Sequence, residues 1–364
     1  LSPNCKPIET NLGENSLNTA TTPASNTLMY REAHEAADVV ARQFAANDSV
    51  VTALAESLRA QPPRFIVTCA RGSSDHAAAY AKYVFETQLG IVTASVSPSV
   101  TSVYAAPQQW EGALFIAISQ SGKSPDLVRN AQAAKLAGAR VVAMVNVEDS
   151  PLAAIADTVI PLHAGPERSV AATKSYIAAL AAVLHLCARW HGDRSLVDSL
   201  HALPDALRAG WDADWSALSD GLVDAHNLFV VGRGFGFGIA LEAALKFKET
   251  CGLHAEAFSA AEVKHGPMAL VGPHFPVLCF AQDDDTLAST LAIADEFRKR
   301  GAQVFVAAPG MQGAGMLPVL AGLPALCTPL LIIQSFYRAA SELALRRGFN
   351  PDVPPHLNKV TETV

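Results

Sequence analysis

Two short segments combine residue types and spacings that could do chemistry. In Leu114 to Ser124, LFIAISQSGKS, an unbroken apolar run meets a hydroxyl-rich turn. Leu114 to Ile118 has the character of a strand buried on both faces. Ser124 as N-cap, Pro125 as first helical residue and Asp126 in the first turn then aim the free N–H groups of a helix at Ser119, Gln120, Ser121 and Gly122. Such a turn, with Lys123 beside it, suits a phosphate dianion, and an ordinary capped strand-to-helix turn would show the same residues. In the second segment, a helix over 239–251, Glu242, Lys246 and Glu249 stand four and three residues apart and so share one face. A solvated ion-pair ladder has this spacing. The largely apolar remainder of the helix argues instead that these charges face a cleft, where a carboxylate with a raised pKa can move protons.

The next stretch, HAEAFSAAEVKHGPMAL, gathers His254, Glu256, Glu262, Lys264 and His265 before Gly266 and Pro267. Its histidines lack the spacing of a zinc helix and no cysteine pair supports them, so no metal is expected. His265 beside a Gly-Pro turn suits acid–base work, or else is a capped structural histidine. After Pro351, Pro354 and Pro355 the chain carries Leu357, Asn358, Lys359 and Val360, a tail that can lie across a cleft and deliver Lys359 to it.

The elements that must position these groups occur twice. FIVTCARGSSDHAAAYAKYVFE and LFVVGRGFGFGIALEAALKFKE each give an apolar strand, Arg-Gly, a turn and an alanine-rich helix ending in Glu. Arg71 precedes Gly138 much as Arg233 precedes Gly301, an offset of about 162 residues between copies. Strands are expected at 65–69, 114–118, 141–145, 158–162, 228–231, 277–281 and 303–307, alternating with helices. That alternation predicts an α/β protein of two tandem units, each a parallel sheet with helices on both faces and ligands beyond the carboxyl ends of the strands. The copies differ chemically. Where the first has SQSGKS the second has Gln282, Asp283, Asp284 and Asp285, which repel an anion, so one phosphate site per chain is expected. The glycines at 232, 234, 236 and 238 are read as close packing of helix on sheet rather than as a nucleotide loop.

The 364 residues are half hydrophobic, with a net charge of −7 and a mean hydropathy of +0.21. This excludes a disordered or fibrous chain, and the lack of a basic run argues against nucleic-acid binding. Six scattered cysteines without a CxxC pair point to reduced thiols and a cytoplasmic protein. Prolines 318, 324 and 329 break the uncharged run 316–333, read as strand, loop and helix start rather than a membrane span. Residues 1–28 are expected to be a loose tail without a signal peptide, followed by domains at 29–200 and 201–345 and the tail 346–364.

The blocks ARGSSDHA, ISQSGKSPD, SVAATKSY, GRGFGFGIALEAALKFKE, HAEAFSAAEVKHGP and NKVT together resemble the sugar isomerase (SIS) domain family. Within it, the closest likeness is to the isomerase half of glutamine–fructose-6-phosphate aminotransferases and to stand-alone glucosamine-6-phosphate deaminases. The resemblance implies that Ser74, Ser119, Gln120, Ser121 and Ser124 bind a sugar phosphate and that Val170 and Ala171 line the sugar through backbone groups. It also implies that Glu249 moves the proton between C1 and C2, that His265 from a neighbouring subunit opens the ring, and that Lys246 and Lys359 complete the site. A homodimer with a shared active site, no cofactor and no metal are implied with it. Ala172 stands where the aminotransferase pattern has a serine, Lys123 replaces an acidic residue, and only a short segment with Cys5 precedes the first unit. The expected reaction is therefore conversion of glucosamine 6-phosphate and water to fructose 6-phosphate and ammonia. The isomerase part of a glutamine–fructose-6-phosphate aminotransferase, a fructosamine-6-phosphate deglycase, an aldose–ketose isomerase and a non-catalytic phosphosugar sensor are the alternatives.

Overall fold

The computed structural model describes residues 22–359. Two five-stranded sheets, parallel throughout, organise it. The first contains β1 (Phe65–Cys69), β2 (Thr93–Ser95), β3 (Ala113–Ser119), β4 (Arg140–Val145) and β5 (Thr158–Pro161), in the order β2-β1-β3-β4-β5. The second contains β6 (Asn227–Gly232), β7 (His254–Ser259), β8 (Pro276–Phe280), β9 (Gln303–Pro309) and β10 (Met316–Val319), in the order β10-β9-β8-β6-β7. Matched strand for strand, the two orders are the same, so the repeat in the sequence is a repeat of topology. Helices cover both faces of each sheet, and every residue of β3 is buried, as a central parallel strand requires.

All seven strands ranged above form, the strand read at the start of the 316–333 run forms as β10, and β2 and β7 join them. β2 is only three residues long. β7 is the HAEAFS segment, singled out above for its polar groups. β10 carries Pro318, which an edge strand tolerates because one side of it needs no ladder bond. All three lie at sheet edges, as β5 does. The 316–333 run resolves as strand, loop and the start of the helix Thr328–Arg346, as expected. Of the presumed tail, residues 1–21, including Cys5, lie outside the described residues. Ala24–Asn26 form a 3-10 turn and a helix begins at Leu28.

One continuous core runs from the inner face of one sheet to the inner face of the other, through the helices Ser73–Leu89, Lys174–His191, Gly236–Cys251 and Thr328–Arg346. The 73–89 and 236–251 helices, equivalent members of the two repeats, cross here in antiparallel sense. Ser73 meets Lys246, His76 meets Glu242, and Tyr80 meets Gly238. Gly238 is needed for that approach, since a Cβ there would sit 2.8 Å from the His76 carbonyl oxygen and 2.9 Å from the Tyr80 nitrogen. This glycine thus serves packing between the two units rather than packing of helix on sheet. Gly232 and Gly236 are close-packing positions as well, against the Gly236 carbonyl and Gln282 respectively.

Gly238→Ala should lower thermal stability by about 1–3 kcal/mol, because the clash is with backbone atoms that cannot move aside. Gly210→Ala, where nothing lies within 4 Å, is the matched control and should leave the melting temperature close to that of the parent chain in a calorimetric scan.

Candidate active site

In a sheet of order 2-1-3-4-5 the chain turns in opposite directions after the first and third strands, which opens a crevice at their carboxyl ends. A cleft of about 400 Å³ lies there. The turn after β1 contributes Arg71, Gly72, Ser73 and Ser74, and the turn after β3 contributes Ser119, Gln120, Ser121 and Ser124. Glu167, Val170 and Ala172 line it from the loop after β5, Lys246 and Glu249 from the 236–251 helix, and Leu357, Asn358 and Lys359 from the tail.

The turn after β3 is built to expose hydroxyls. Gly122, at φ 62°, holds the reversal, and a Cβ there would lie 2.2 Å from Ser150 Oγ. Its N–H bonds to Ser119 Oγ at 3.0 Å and fixes that side chain. Ser124 occupies the N-cap and Pro125 the first position of the helix Pro125–Leu136, as the sequence predicts, but Ser124 Oγ makes no capping bond. Its hydroxyl is thus left to the cleft. Lys123, expected to help hold an anion, is exposed and does not line the cleft.

Glu242, Lys246 and Glu249 do share a face, and that face is interior. The side chains of Glu242 and Lys246 are 0% and 1% exposed, so the solvated-ladder reading fails. Lys246 Nζ donates to Ser73 Oγ at 3.0 Å and Glu249 Oε2 at 2.6 Å, and lies 3.2 Å from Glu242 Oε1. Glu242 also accepts from Tyr337 Oη at 2.9 Å and lies 2.9 Å from His76 Nδ1. The raised carboxylate pKa expected for this helix does not hold for Glu242. Burial pushes its pKa up, but Lys246 and His76 outweigh burial and hold it at about 2. The same pairing acts on Lys246, where burial alone would lower the pKa and the two carboxylates raise it. Lys246 is therefore a fixed cation at neutral pH, suited to electrostatic support and not to nucleophilic attack.

The loop 167–175 hangs on two buried acids that sequence patterns did not reveal. Glu167 accepts from the Thr173 and Ser175 N–H groups, from Ser175 Oγ at 2.7 Å and from Lys359 Nζ at 2.8 Å. Burial raises the pKa of Glu167, and Lys359 with these donors brings it below the usual carboxylate range. Glu32 accepts from the Arg168 and Ser169 N–H groups, yet burial holds its carboxyl above the ordinary value. The Val170 N–H donates to the Asp352 carbonyl at 3.2 Å, and the Asp352 carboxylate accepts from the Leu28 and Met29 N–H groups, both at 2.8 Å. First helix, loop and tail are fastened together at one point. Spacing gave no signal for Glu32, Glu167 or Asp352, because each acts across a long stretch of chain.

Of the residues singled out from sequence, Ser74, Ser119, Gln120, Ser121, Ser124, Val170, Lys246, Glu249 and Lys359 meet at this cleft. Ala171 does not. It is buried at 1% exposure and its neighbour Ala172 lines the wall instead. His265 is exposed on the second unit, away from its own chain's cleft. Val360 lies outside the described residues. Among the described residues no group of three or more His, Cys, Asp and Glu stands ready for a metal, and no helix is long and apolar enough to cross a membrane.

Fold and cleft together define a tandem parallel α/β protein with a polar ligand site at the switch point of its first sheet. The SIS domain pattern matches residues 61–189 and 221–308, and the chain belongs to the SIS domain family. It is 34% identical over 316 residues to the glutamine–fructose-6-phosphate aminotransferase (isomerizing) of Thermotoga maritima, covering 81% of this chain and 50% of that protein. The chain thus spans about half the length of the curated relatives it matches. A crystal structure from Silicibacter pomeroyi DSS-3, named for a proposed phosphosugar isomerase, superposes with a TM-score of 0.86 at 43% identity, covering 90% of this chain and all of that one. The glucosamine-6-phosphate deaminase structure from Thermotoga maritima shares the fold, with a TM-score of 0.73 at 21% identity over 93% of this chain and 100% of that one.

The charge cluster should make stability acid-sensitive. A carboxylate whose folded pKa lies below its unfolded value of 4.5 contributes stability that is complete above pH 4.5 and is lost as pH falls toward about 2. Glu242→Gln should flatten the fall in urea-unfolding stability between pH 4.5 and 2. Lys246→Met, which leaves Glu242 buried beside fewer partners, should cost about 3 kcal/mol or more at pH 7.

Proposed function

We propose that the cleft binds a hexosamine 6-phosphate and that the chain converts glucosamine 6-phosphate and water to fructose 6-phosphate and ammonia. The observation that carries this reading is that one cleft holds the hydroxyl turns, Ser74 and Ser119 to Ser124, together with Glu249 held by a protonated lysine. Ser74, Ser119, Ser121, Ser124 and Gln120 would take the phosphate and fix the distal end of the open-chain sugar. Glu249 would remove the C2 proton to give the enolamine and return it at C1, leaving an imine at C2. Water adds to that carbon, the C–N bond breaks, and ammonia leaves as the ketone forms. Lys246 orients the Glu249 carboxylate and sets a positive charge beside the carbons where negative charge develops. Lys359 stands at the same cleft, paired with Glu167. His265 would act in the cleft of a second copy, assisting ring opening, which makes the working unit a homodimer. No step of this scheme calls on a metal or redox cofactor.

A second reading, amination of fructose 6-phosphate in the manner of the aminotransferases, is favoured by the curated relatives. Against it stands Ala172, which lines the cleft where the aminotransferase pattern has a serine. Ammonia release from glucosamine 6-phosphate, measured beside a fructosamine 6-phosphate, separates the deaminase from a deglycase. Glutamine-dependent synthesis with an added glutaminase tests the aminotransferase route. Glu249→Gln should reduce kcat for ammonia release by about a hundredfold or more while leaving the affinity for a non-reacting hexitol 6-phosphate within about twofold. Turnover near that of the parent chain would remove the carboxylate from the mechanism.

A further inference from the structure

We infer that Arg71 supplies the positive charge of the phosphate seat and that the buried Asp126 aims it. This rests on the reading of the cleft as a phosphate-ester site and names the residue that reads the charge of that ester. A dianion needs a counter-charge as well as hydroxyls. The cation expected from sequence, Lys123, does not line the cleft, whereas three other cations do: Arg71, Lys246 and Lys359. The ammonium of Lys246 is surrounded by Ser73 Oγ, Glu242 and Glu249. Lys359 lies on the tail side, paired with the buried Glu167.

Arg71 sits where the seat requires a cation. It follows β1 at the switch point and precedes Ser73 and Ser74, while its guanidinium reaches across to the first turn of the helix after β3. There Nε donates to Asp126 Oδ2 at 2.8 Å, and Nη2 is ion-paired with the same oxygen at 2.7 Å. Asp126 is fully buried and the Arg71 side chain is 45% exposed. The guanidinium therefore bridges the two hydroxyl turns, and an arginine has five N–H donors, so two bonds to one carboxylate oxygen leave others for a ligand. Asp126 fixes the direction of the fork without using it up. In the second repeat the guanidinium of the equivalent Arg233 donates to a neutral hydroxyl, Ser289 Oγ at 3.0 Å, and Gln282 to Asp285 stand in the sequence where the first repeat has its serines. The arginine is common to both copies, and only in the first does it stand over a hydroxyl cradle with an acid behind it.

Calorimetric titration with glucitol 6-phosphate, and with glucitol 6-sulfate as an ester of lower charge, tests this. Arg71→Met should weaken the phosphate ester about tenfold or more and the sulfate ester less, so that preference for the more highly charged ester falls. Arg71→Gln, which keeps a hydrogen bond to Asp126 without the charge, should behave likewise and covers the case in which the methionine variant fails to fold. The discriminating protein is Arg71→Met with Asp126→Asn. If Arg71 contacts the ester, binding by this double variant stays weak. If Arg71 only shields the Asp126 charge, removal of that charge restores the affinity of the parent chain, and the proposal is overturned. Failure of the parent chain to bind glucitol 6-phosphate at all would instead remove the phosphate-site reading and this inference with it.

Discussion

The site depends on one buried ionic contact, Lys246 with Glu242 and Glu249, set where the equivalent helices of the two repeats cross. A lysine taken out of water is tolerated only if its charge is matched and its donors are used, and here Ser73 from the other unit completes the set. The pairing therefore does two things at once. It ties the second repeat to the Arg71–Ser74 turn that lines the cleft, and it keeps a carboxylate in that lining. Close approach of the two backbones at Gly238 makes the geometry possible, and the hydrogen bond from Tyr337 to Glu242 closes it from the third side.

Duplication gives both sheets the same switch point, and divergence separates the residues that stand there. Both sheets have the same strand order and so both have a switch point. In the second, Gln282 is buried and donates to the Arg233 carbonyl at 2.6 Å and to Thr286 Oγ1 at 2.8 Å, and Asp284 accepts from the N–H and hydroxyl of Thr286. Here the polar side chains of the turn bond to one another. The vacated role is a different one: the second unit lends its long helix to the cleft of the first.

Central strands, the helix start at Pro125 and the face shared by Glu242, Lys246 and Glu249 were legible in the sequence because each is set by spacing within one element. β2 and β7 were not, since β2 is only three residues long and β7 carries polar residues that invite a chemical reading. Interiority of the Glu–Lys face was only half legible, for helical periodicity says which residues are neighbours and not what covers them. Glu32, Glu167 and Asp352 were silent for a further reason. Each satisfies backbone or side-chain donors from another part of the chain, and no local pattern records such a partner. The Ala171–Ala172 difference is of the same kind, a matter of loop path that depends on Glu32 and Glu167 gripping the backbone on either side.

Asp352 gives the cleft a mechanical link to a distant part of the molecule. Because its carboxylate holds the start of the Leu28–His34 helix and its carbonyl holds Val170, displacement of the tail would strip two anchors at once, from the leading helix and from the loop that lines the cleft. Entry to the cleft past Leu357 to Lys359 is thus coupled to order at the opposite end of the polypeptide. Occupancy of the crevice would register there as slower amide exchange at Leu28 and Met29, far along the chain from any hydroxyl that touches the guest.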